Sequence, residues 1–461
     1  MNDAVIVLPG VMGSELVEVS SGRTLWGGTD PGWYAEAWST GVGPRALTVT
    51  DEERSGRVGR IRATRLLHTP AWAPLLRGFE PYTELLRALR RTAADPAAVH
   101  EFPYDWRLSV EYNAGRLAIA AYEHLRRWRM HPRGGRDARL VLVAHSSGGL
   151  VARHFTELLG GSTELRALIT LGTPFAGTVE AVRLLAGEGE GEGEGDSTAE
   201  HLRRPARTMP GLYDLLPADA CVDEGTWIRR PTAADLAALG ADERSAADAY
   251  ARHERRSGAG HRDTVWPLVG AAQPTAQSLV IHDGVAEPRF VTCDVDRCGR
   301  IRRVAGHGDG IVSATTVTPT ARKPFAVTQT HGALQTTPEA IARVCAILDH
   351  EDPAPDGPGD RLPLALTLPE AIPAGTALEI TLDGVPTTAT IDVRVTDVAT
   401  GVALPRALPI RRAERLTFRQ ILPVVGLFRV SAHAPGHSPL TQLVPATDPG
   451  AHFDAAHTDP R

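Results

Sequence analysis

The sequence predicts an α/β domain built on a mostly parallel sheet, interrupted by insertions and followed by a small all-β domain. Three observations carry this. Continuous apolar runs of strand length end in glycine-rich turns and alternate with helical stripes. One such turn, within residues 140–151, passes from strand to helix over a serine. Beyond residue 362 the pattern changes to short apolar or alternating runs separated by Pro, Gly and Asp.

The first run, Ala4 to Leu8, reads as a buried strand and ends in Pro9-Gly10-Val11-Met12-Gly13-Ser14. Residues 25 to 75 hold four of the eight tryptophans (Trp26, Trp33, Trp38, Trp72) with Tyr34 and several Gly and Pro. Two readings stay open there: an acyl-chain or membrane-contact surface, or the private core of a small subdomain. Tyr82, Leu85, Leu86 and Leu89 recur at helical spacing. After Phe102-Pro103-Tyr104-Asp105-Trp106-Arg107, a second stripe runs through Leu117, Ala121, Leu125 and Trp128.

The organising stretch follows. Leu140 to Ala144 is apolar, His145-Ser146-Ser147-Gly148-Gly149 turns, and an amphipathic helix runs from Leu150 to a glycine stop near Gly160-Gly161. This matches the nucleophile elbow of α/β-hydrolases, with Ala144 at the position of the first glycine of G-x-S-x-G. Small residues let strand and helix approach closely, and the helix N-terminus favours developing negative charge. Ser146 is the candidate nucleophile; a helix-capping serine is the alternative. In this arrangement the loop after the first strand supplies one oxyanion N–H, assigned to Met12 with Val11 close behind, and Ser147 supplies the other. An ordinary turn is the competing reading of the Met12 loop.

Leu165 to Leu171 gives the next strand, ending in Gly172-Thr173-Pro174-Phe175-Ala176-Gly177. The alternating Gly/Glu tract over residues 187–196 has no side chains to bury and repels itself, so disorder is expected, as a lid or as a tolerated loop expansion. Residues 232–256 read as cap helices, Val265 to Gly270 as a core strand, and 279–304 as strands with a hairpin. Gly306-His307-Gly308-Asp309-Gly310 places a carboxylate between glycines just past a strand. Thr330-His331-Gly332 and a helix from Pro338 to about Asp349 close the domain.

Ser146, Asp309 and His331 stand in the hydrolase order of serine, acid, histidine. A serine hydroxyl needs a histidine to take its proton, and a carboxylate must fix that imidazole's tautomer. Among 17 histidines, His331 stands out by its place after the acid and before the last core helix. His307 is the rival base, while Asp294 and Asp296 are fallback acids.

Six motifs in order carry a resemblance: Leu-Pro-Gly-Val-Met-Gly-Ser (8–14), Tyr-Asp-Trp-Arg (104–107), Ala-His-Ser-Ser-Gly-Gly (144–149), Leu-Gly-Thr-Pro-Phe-Ala-Gly (171–177), Gly-Asp-Gly-Ile-Val (308–312) and Thr-His-Gly-Ala-Leu (330–334). Residues 4–350 resemble the lecithin:cholesterol acyltransferase family, with its lysosomal phospholipases and phospholipid:diacylglycerol acyltransferases. The resemblance implies Ser146 as nucleophile, Asp309 as acid and His331 as base, with Met12 and Ser147 as oxyanion donors. It implies attack on a glycerolipid ester and an acyl-enzyme passing its acyl group to water or an alcohol. Asp105 and Arg107 match Tyr-Asp-Trp-Arg and are expected to hold loops by an ion pair. The departures are Ala144 for Gly, Phe175-Ala176 for Trp-Gly, and Ile311-Val312-Ser313 for Thr-Val-Pro.

The expected architecture is therefore an α/β-hydrolase fold over residues 1–350, with cap or lid insertions at about 14–80 and 178–260. A linker (351–362), a sandwich-like β domain (363–448) and a tail (449–461) follow. Net charge of −6 gives no sign of a nucleic-acid partner. The cysteines at 221, 293, 298 and 345 show no zinc spacing, so no metal and no cofactor are expected; a reduced chain or a 293–298 disulfide both fit. No signal peptide is visible and no apolar run has spanning length, so the expectation is a cytoplasmic protein with any membrane contact peripheral. Three functions remain: a serine acylhydrolase of phospholipid or long-chain esters, an acyltransferase, or a non-enzymatic scaffold. The β domain is expected to brace the catalytic domain, or to bind a protein partner or membrane.

Overall fold

The computed structural model describes residues 2–28, 33–34, 37, 42–187, 198–257, 262–295, 300–314, 322–351, 363–386 and 388–449. Trp38, most of the Gly/Glu tract, Asp296, Cys298, the linker from 352 to 362, the tail from 450 and the side chain of Asp294 lie outside the described residues.

Six strands form the central sheet: β1 (Ala4–Leu8), β2 (Val99–Glu101), β3 (Leu140–His145), β4 (Leu165–Leu171), β5 (Val265–Ala271) and β6 (Phe325–Thr328). Every pairing is parallel, in the order β6-β5-β4-β3-β1-β2. This is an α/β-hydrolase fold. The uninterrupted apolar runs of β1 and β3 are buried along their whole length, as a parallel sheet covered on both faces requires. Strands β2 and β6 escape sequence reading because they are only three and four residues long. Their partners β1 and β5 define them.

Helices cover the sheet: α1 (Thr83–Thr92), α2 (Val110–Arg129), α3 (Gly148–Leu158) and α4 (Pro338–Leu348). In α2, Ser109 caps the first turn by accepting from the Tyr112 N–H, and Val110, Ala114, Leu117, Ala121, Leu125 and Trp128 form the buried stripe. Each buried leucine there contributes roughly 1.5–3 kcal/mol. A left-handed Gly160 follows α3 and lets the chain turn towards β4.

Two of the insertion's tryptophans depart from both sequence readings. Trp26 and Trp72 are buried in the same apolar core as the central sheet, so they form neither a private core nor an exposed contact surface. The Trp26 ring meets Tyr34 at 5.3 Å and Trp106 at 6.0 Å, edge to face. Its Nε1–H donates to the Met12 carbonyl at 2.6 Å. Strands Ser14–Glu18, Thr24–Trp26 and Ile61–Leu66 carry this layer, and the hairpin Ala71–Ala73/Arg77–Phe79 follows.

Beyond residue 362 lie β7 (Ala365–Thr367), β8 (Ile372–Pro373), β9 (Ala377–Asp383), β10 (Asp392–Asp397), β11 (Ile410–Arg412), β12 (Arg415–Ile421), β13 (Gly426–His433) and β14 (Leu440–Thr447). They make two four-stranded sheets, β7-β9-β12-β11 and β8-β14-β13-β10. Leu378, Ile380 and Leu382 alternate inward from β9 onto Phe418, Phe428 and Val444, a core separate from that of the central sheet. Strand β10 begins at Asp392, where pairing with His433 on β13 starts. Strand β14 is missed by sequence pattern because Pro445 interrupts it.

His100 on β2 stacks on His124 of α2 at 5.2 Å, and the His124 Nε2 bonds to the Ala98 carbonyl. Burial pushes His100 down to about 4, with His124 and Arg127 adding to it, and burial also lowers His124. Unfolding returns both to ordinary imidazoles near 6.5, so the unfolded chain takes up protons that the folded chain refuses. Stability from this pair is complete above pH 6.5 and declines as pH falls towards 4. Urea midpoints measured across that range should fall with acidity, and His100→Gln should flatten the slope.

Candidate active site

The elbow forms where β3 meets α3. Ser146 adopts φ 52°, a left-handed conformation that costs a non-glycine residue roughly 1–2 kcal/mol. Its N–H is held by the Leu171 carbonyl at 2.8 Å. The neighbours leave no room for side chains. A Cβ on Gly148 would lie 2.4 Å from the Pro9 carbonyl oxygen, one on Gly149 2.1 Å from Thr173 Oγ1, and one on Gly10 2.8 Å from Ser146 Cβ. Ala144 sits fully buried in the ladder between Leu8 and Thr170, so its methyl is accommodated where Gly148 and Gly149 could hold none.

The structure brings Ser146, His331 and Asp309 together. His331 Nε2 lies 2.8 Å from Ser146 Oγ, and His331 Nδ1 lies 2.8 Å from Asp309 Oδ2. Asp309 Oδ1 accepts N–H groups from Ile311 at 3.0 Å and Val312 at 2.7 Å. Asp309 does not come straight off β5. After Ala271 the chain makes a long excursion and returns through residues 307–308, antiparallel to 273–274. Gly270 receives it: a Cβ there would sit 2.3 Å from that of Asp309. The His331 N–H then bonds to the Asp309 carbonyl at 2.9 Å. The rival base, His307, is exposed.

Gly172, at φ 58°, lies beside Asp309 and His331. A Cβ there would stand 2.9 Å from Asp309 Oδ2 and 3.2 Å from His331 Nδ1.

Sequence reasoning missed a second chain of hydrogen bonds behind the first. The Gly10 N–H donates to Tyr82 Oη (3.0 Å), Tyr82 Oη meets His145 Nδ1 (2.8 Å), and His145 Nε2 meets the His331 carbonyl (3.0 Å). A carbonyl only accepts, so Nε2 of His145 carries the hydrogen and Nδ1 accepts from the tyrosine. Burial, with His331 next to it, pushes His145 down to about 3 and keeps the ring neutral. Its place directly before Ser146 was the available signal, but its partner Tyr82 is 63 positions away.

Tyr104 is a further missed residue. Its hydroxyl donates to the Pro9 carbonyl and meets Ser147 Oγ, both at 2.9 Å, tying the elbow to the Met12 loop. Met12 turns this loop at φ 60°. Among the described residues nothing accepts the Met12 or the Ser147 N–H, whereas that of Gly10 is taken by Tyr82.

Asp105 and Arg107 pair in two-pronged fashion, at 2.9 and 2.7 Å. Arg107 is fully buried and also reaches Glu53 at 2.9 Å and the carbonyls of Leu47 and Thr48. Burial alone would raise the Glu53 carboxyl, but the bonds from Arg107, Thr50 and Arg60 hold it below its ordinary value. Among the described residues no group of three His, Cys, Asp or Glu side chains is arranged to hold a metal ion. No helix there is long and apolar enough to cross a membrane.

The family model of lecithin:cholesterol acyltransferase matches residues 74–236, a stretch holding the Tyr-Asp-Trp-Arg, elbow and Leu-Gly-Thr-Pro motifs. The resemblance read from the motifs is borne out there. No curated protein sequence matches the chain. Among solved structures, a Tle4–Tli4 complex aligns at TM-score 0.46 and 15% identity, over 77% of this chain and 99% of that one. Lipase BlEst2 of Bacillus licheniformis in propeptide form aligns at 0.32 and 11%, over 98% and 76%. Phospholipase PlaB from Legionella pneumophila aligns at 0.20 and 9%, over 95% and 89%.

Replacing Arg107 by Met would leave Asp105 without its cation and Glu53 with Arg60 alone. Removing one partner of a buried ion pair costs about 3–5 kcal/mol. Urea unfolding of Arg107→Met should show a loss of that order, and adding Glu53→Gln should recover a fraction of it.

Proposed function

We propose that the protein is a lipid acyl hydrolase that cleaves carboxylic esters of phospholipids or other long-chain lipids through an acyl-enzyme on Ser146. The observation that carries this is the unbroken hydrogen-bond chain from Ser146 Oγ through His331 to Asp309. The family match over residues 74–236 supports a lipid ester as substrate.

In this reading His331 Nε2 takes the serine proton as Oγ attacks the ester carbonyl. The imidazolium that forms is held by Asp309, whose second oxygen is already committed to two backbone N–H groups. The carbonyl oxygen becomes an oxyanion, and the unengaged N–H groups of Met12 and Ser147 are its donors, assisted by the N-terminus of α3. His331 then gives its proton to the departing alcohol. A water, activated by the same nitrogen, releases the fatty acid and frees Ser146. The Tyr82–His145 chain holds the His331 backbone while its ring exchanges protons.

The same steps serve an acyltransferase when an alcohol takes the place of water, and the acyltransferase family match keeps that second reading in view. Any contact with a lipid surface would be peripheral, and a cytoplasmic location belongs to the proposal. The β domain as a docking site for a protein partner is the other recruitment route.

Incubation with a panel of labelled phospholipids, with and without diacylglycerol or a sterol, separates the readings: free fatty acid marks hydrolysis, a new ester marks transfer. Ser146→Ala should keep the fold and lose turnover by more than the roughly 10²–10³-fold of one oxyanion donor. Undiminished cleavage by that variant would sink the assignment. Gly172→Ala, which presses a methyl against both Asp309 Oδ2 and His331 Nδ1, should lower kcat while circular dichroism stays native.

A further inference from the structure

Two buried glutamines outside the triad stand where the C-terminal sheets meet the loops of Asp309 and His331. Gln273 is fully buried, pairs with Gly308 and forms a backbone bridge to Asp309. Its Nε2 donates to the Leu364 carbonyl at 2.8 Å, and its Oε1 accepts the Leu366 N–H on β7 at 3.0 Å. Gln329 is 2% exposed and lies two residues before His331. Its Nε2 donates to the Pro439 carbonyl at 2.8 Å, and its Oε1 accepts the N–H of Thr441 on β14 at 3.0 Å and that of Thr330 at 2.9 Å. Thr330 Oγ1 donates to the Thr441 carbonyl at 2.6 Å.

The far side of the histidine loop is held as well. Arg429 on β13 grips both oxygens of Glu80 at 2.6 Å. The Glu80 N–H bonds to the Gly332 carbonyl at 2.8 Å, and its carbonyl accepts from Gln335 at 2.6 Å. A recruitment module would contact its enzyme anywhere on the surface. These contacts bracket the acid and the base, and each glutamine amide uses donor and acceptor on the backbone of the β domain.

We propose that the C-terminal β domain is a positioning element for the triad, gripping the acid loop through Gln273 and the histidine loop through Gln329 and Thr330. This rests on the reading of Ser146, His331 and Asp309 as a catalytic triad. His331 has to keep two 2.8 Å contacts at once. A shift of about 1 Å in such a group costs on the order of a hundredfold in rate.

The test uses full-length protein, with reactive sites counted by fluorophosphonate titration and turnover measured on a short-chain p-nitrophenyl ester. Gln329→Leu removes the amide. Thr330→Val removes the hydroxyl donor at nearly constant shape, and Thr330→Ser restores it. Gln329→Leu and Thr330→Val should lower kcat per titrated site by about ten- to a hundredfold, with KM near that of the unsubstituted protein. The acid limb of the kcat/KM pH profile, which reports the free enzyme's base, should move. Thr330→Ser should keep both the rate and the profile. Folded variants with unchanged kcat per site and an unchanged profile would overturn the proposal, as would a loss confined to the number of titrated sites. If Gln329→Leu does not fold, the Thr330 pair decides. Absence of fluorophosphonate uptake by the unsubstituted protein would overturn the triad reading itself and the clamp with it.

Discussion

One imidazole must satisfy two partners that reach it from opposite directions. The His331 ring spans Ser146 Oγ and Asp309 Oδ2, each at 2.8 Å, and its own carbonyl is pinned by His145. These residues are 185 and 22 positions apart in the chain, so the geometry is set by the sheet and its loops rather than by local sequence. A Cβ at 172 or 270 would crowd Asp309, and one at 172 also His331. The strain at Ser146 and Met12, both left-handed, is small beside the packing that holds them.

Buried polar groups do much of this holding. Neutral His145, Tyr82 and Tyr104 connect the Met12 loop, the elbow and the histidine loop by hydrogen bonds that leave few alternatives. Arg107 acts in the same way a layer further out, joining Asp105 to the Glu53 segment. The β domain extends the pattern, since its backbone supplies partners for Gln273 and Gln329.

Legibility in the sequence followed the range of the interaction. The elbow could be read because strand, turn and helix are contiguous, and the acid and histidine because glycines mark their loops. Long helices such as α2 announced themselves by an apolar stripe. Strands β2 and β6 did not, because three or four residues are too few to establish a period. The tryptophan insertion was misjudged for a related reason: composition shows that Trp26 will bury, but only the fold shows that Trp106 and Met12 are what it buries against. Tyr82, Glu53, Gln273 and Gln329 were invisible as site residues because the groups they serve lie 50 or more positions away or in another sheet.

The central claim is that Ser146 becomes acylated. Mixing the protein with a phospholipid carrying an isotopically labelled acyl chain, quenching in acid within the first turnover and mapping peptides by mass spectrometry tests it directly. The account predicts one labelled acyl group per chain, on the peptide containing Ser146 and on that hydroxyl. Product released at full rate with Ser146 never modified, or an acyl group on a different side chain, would contradict it.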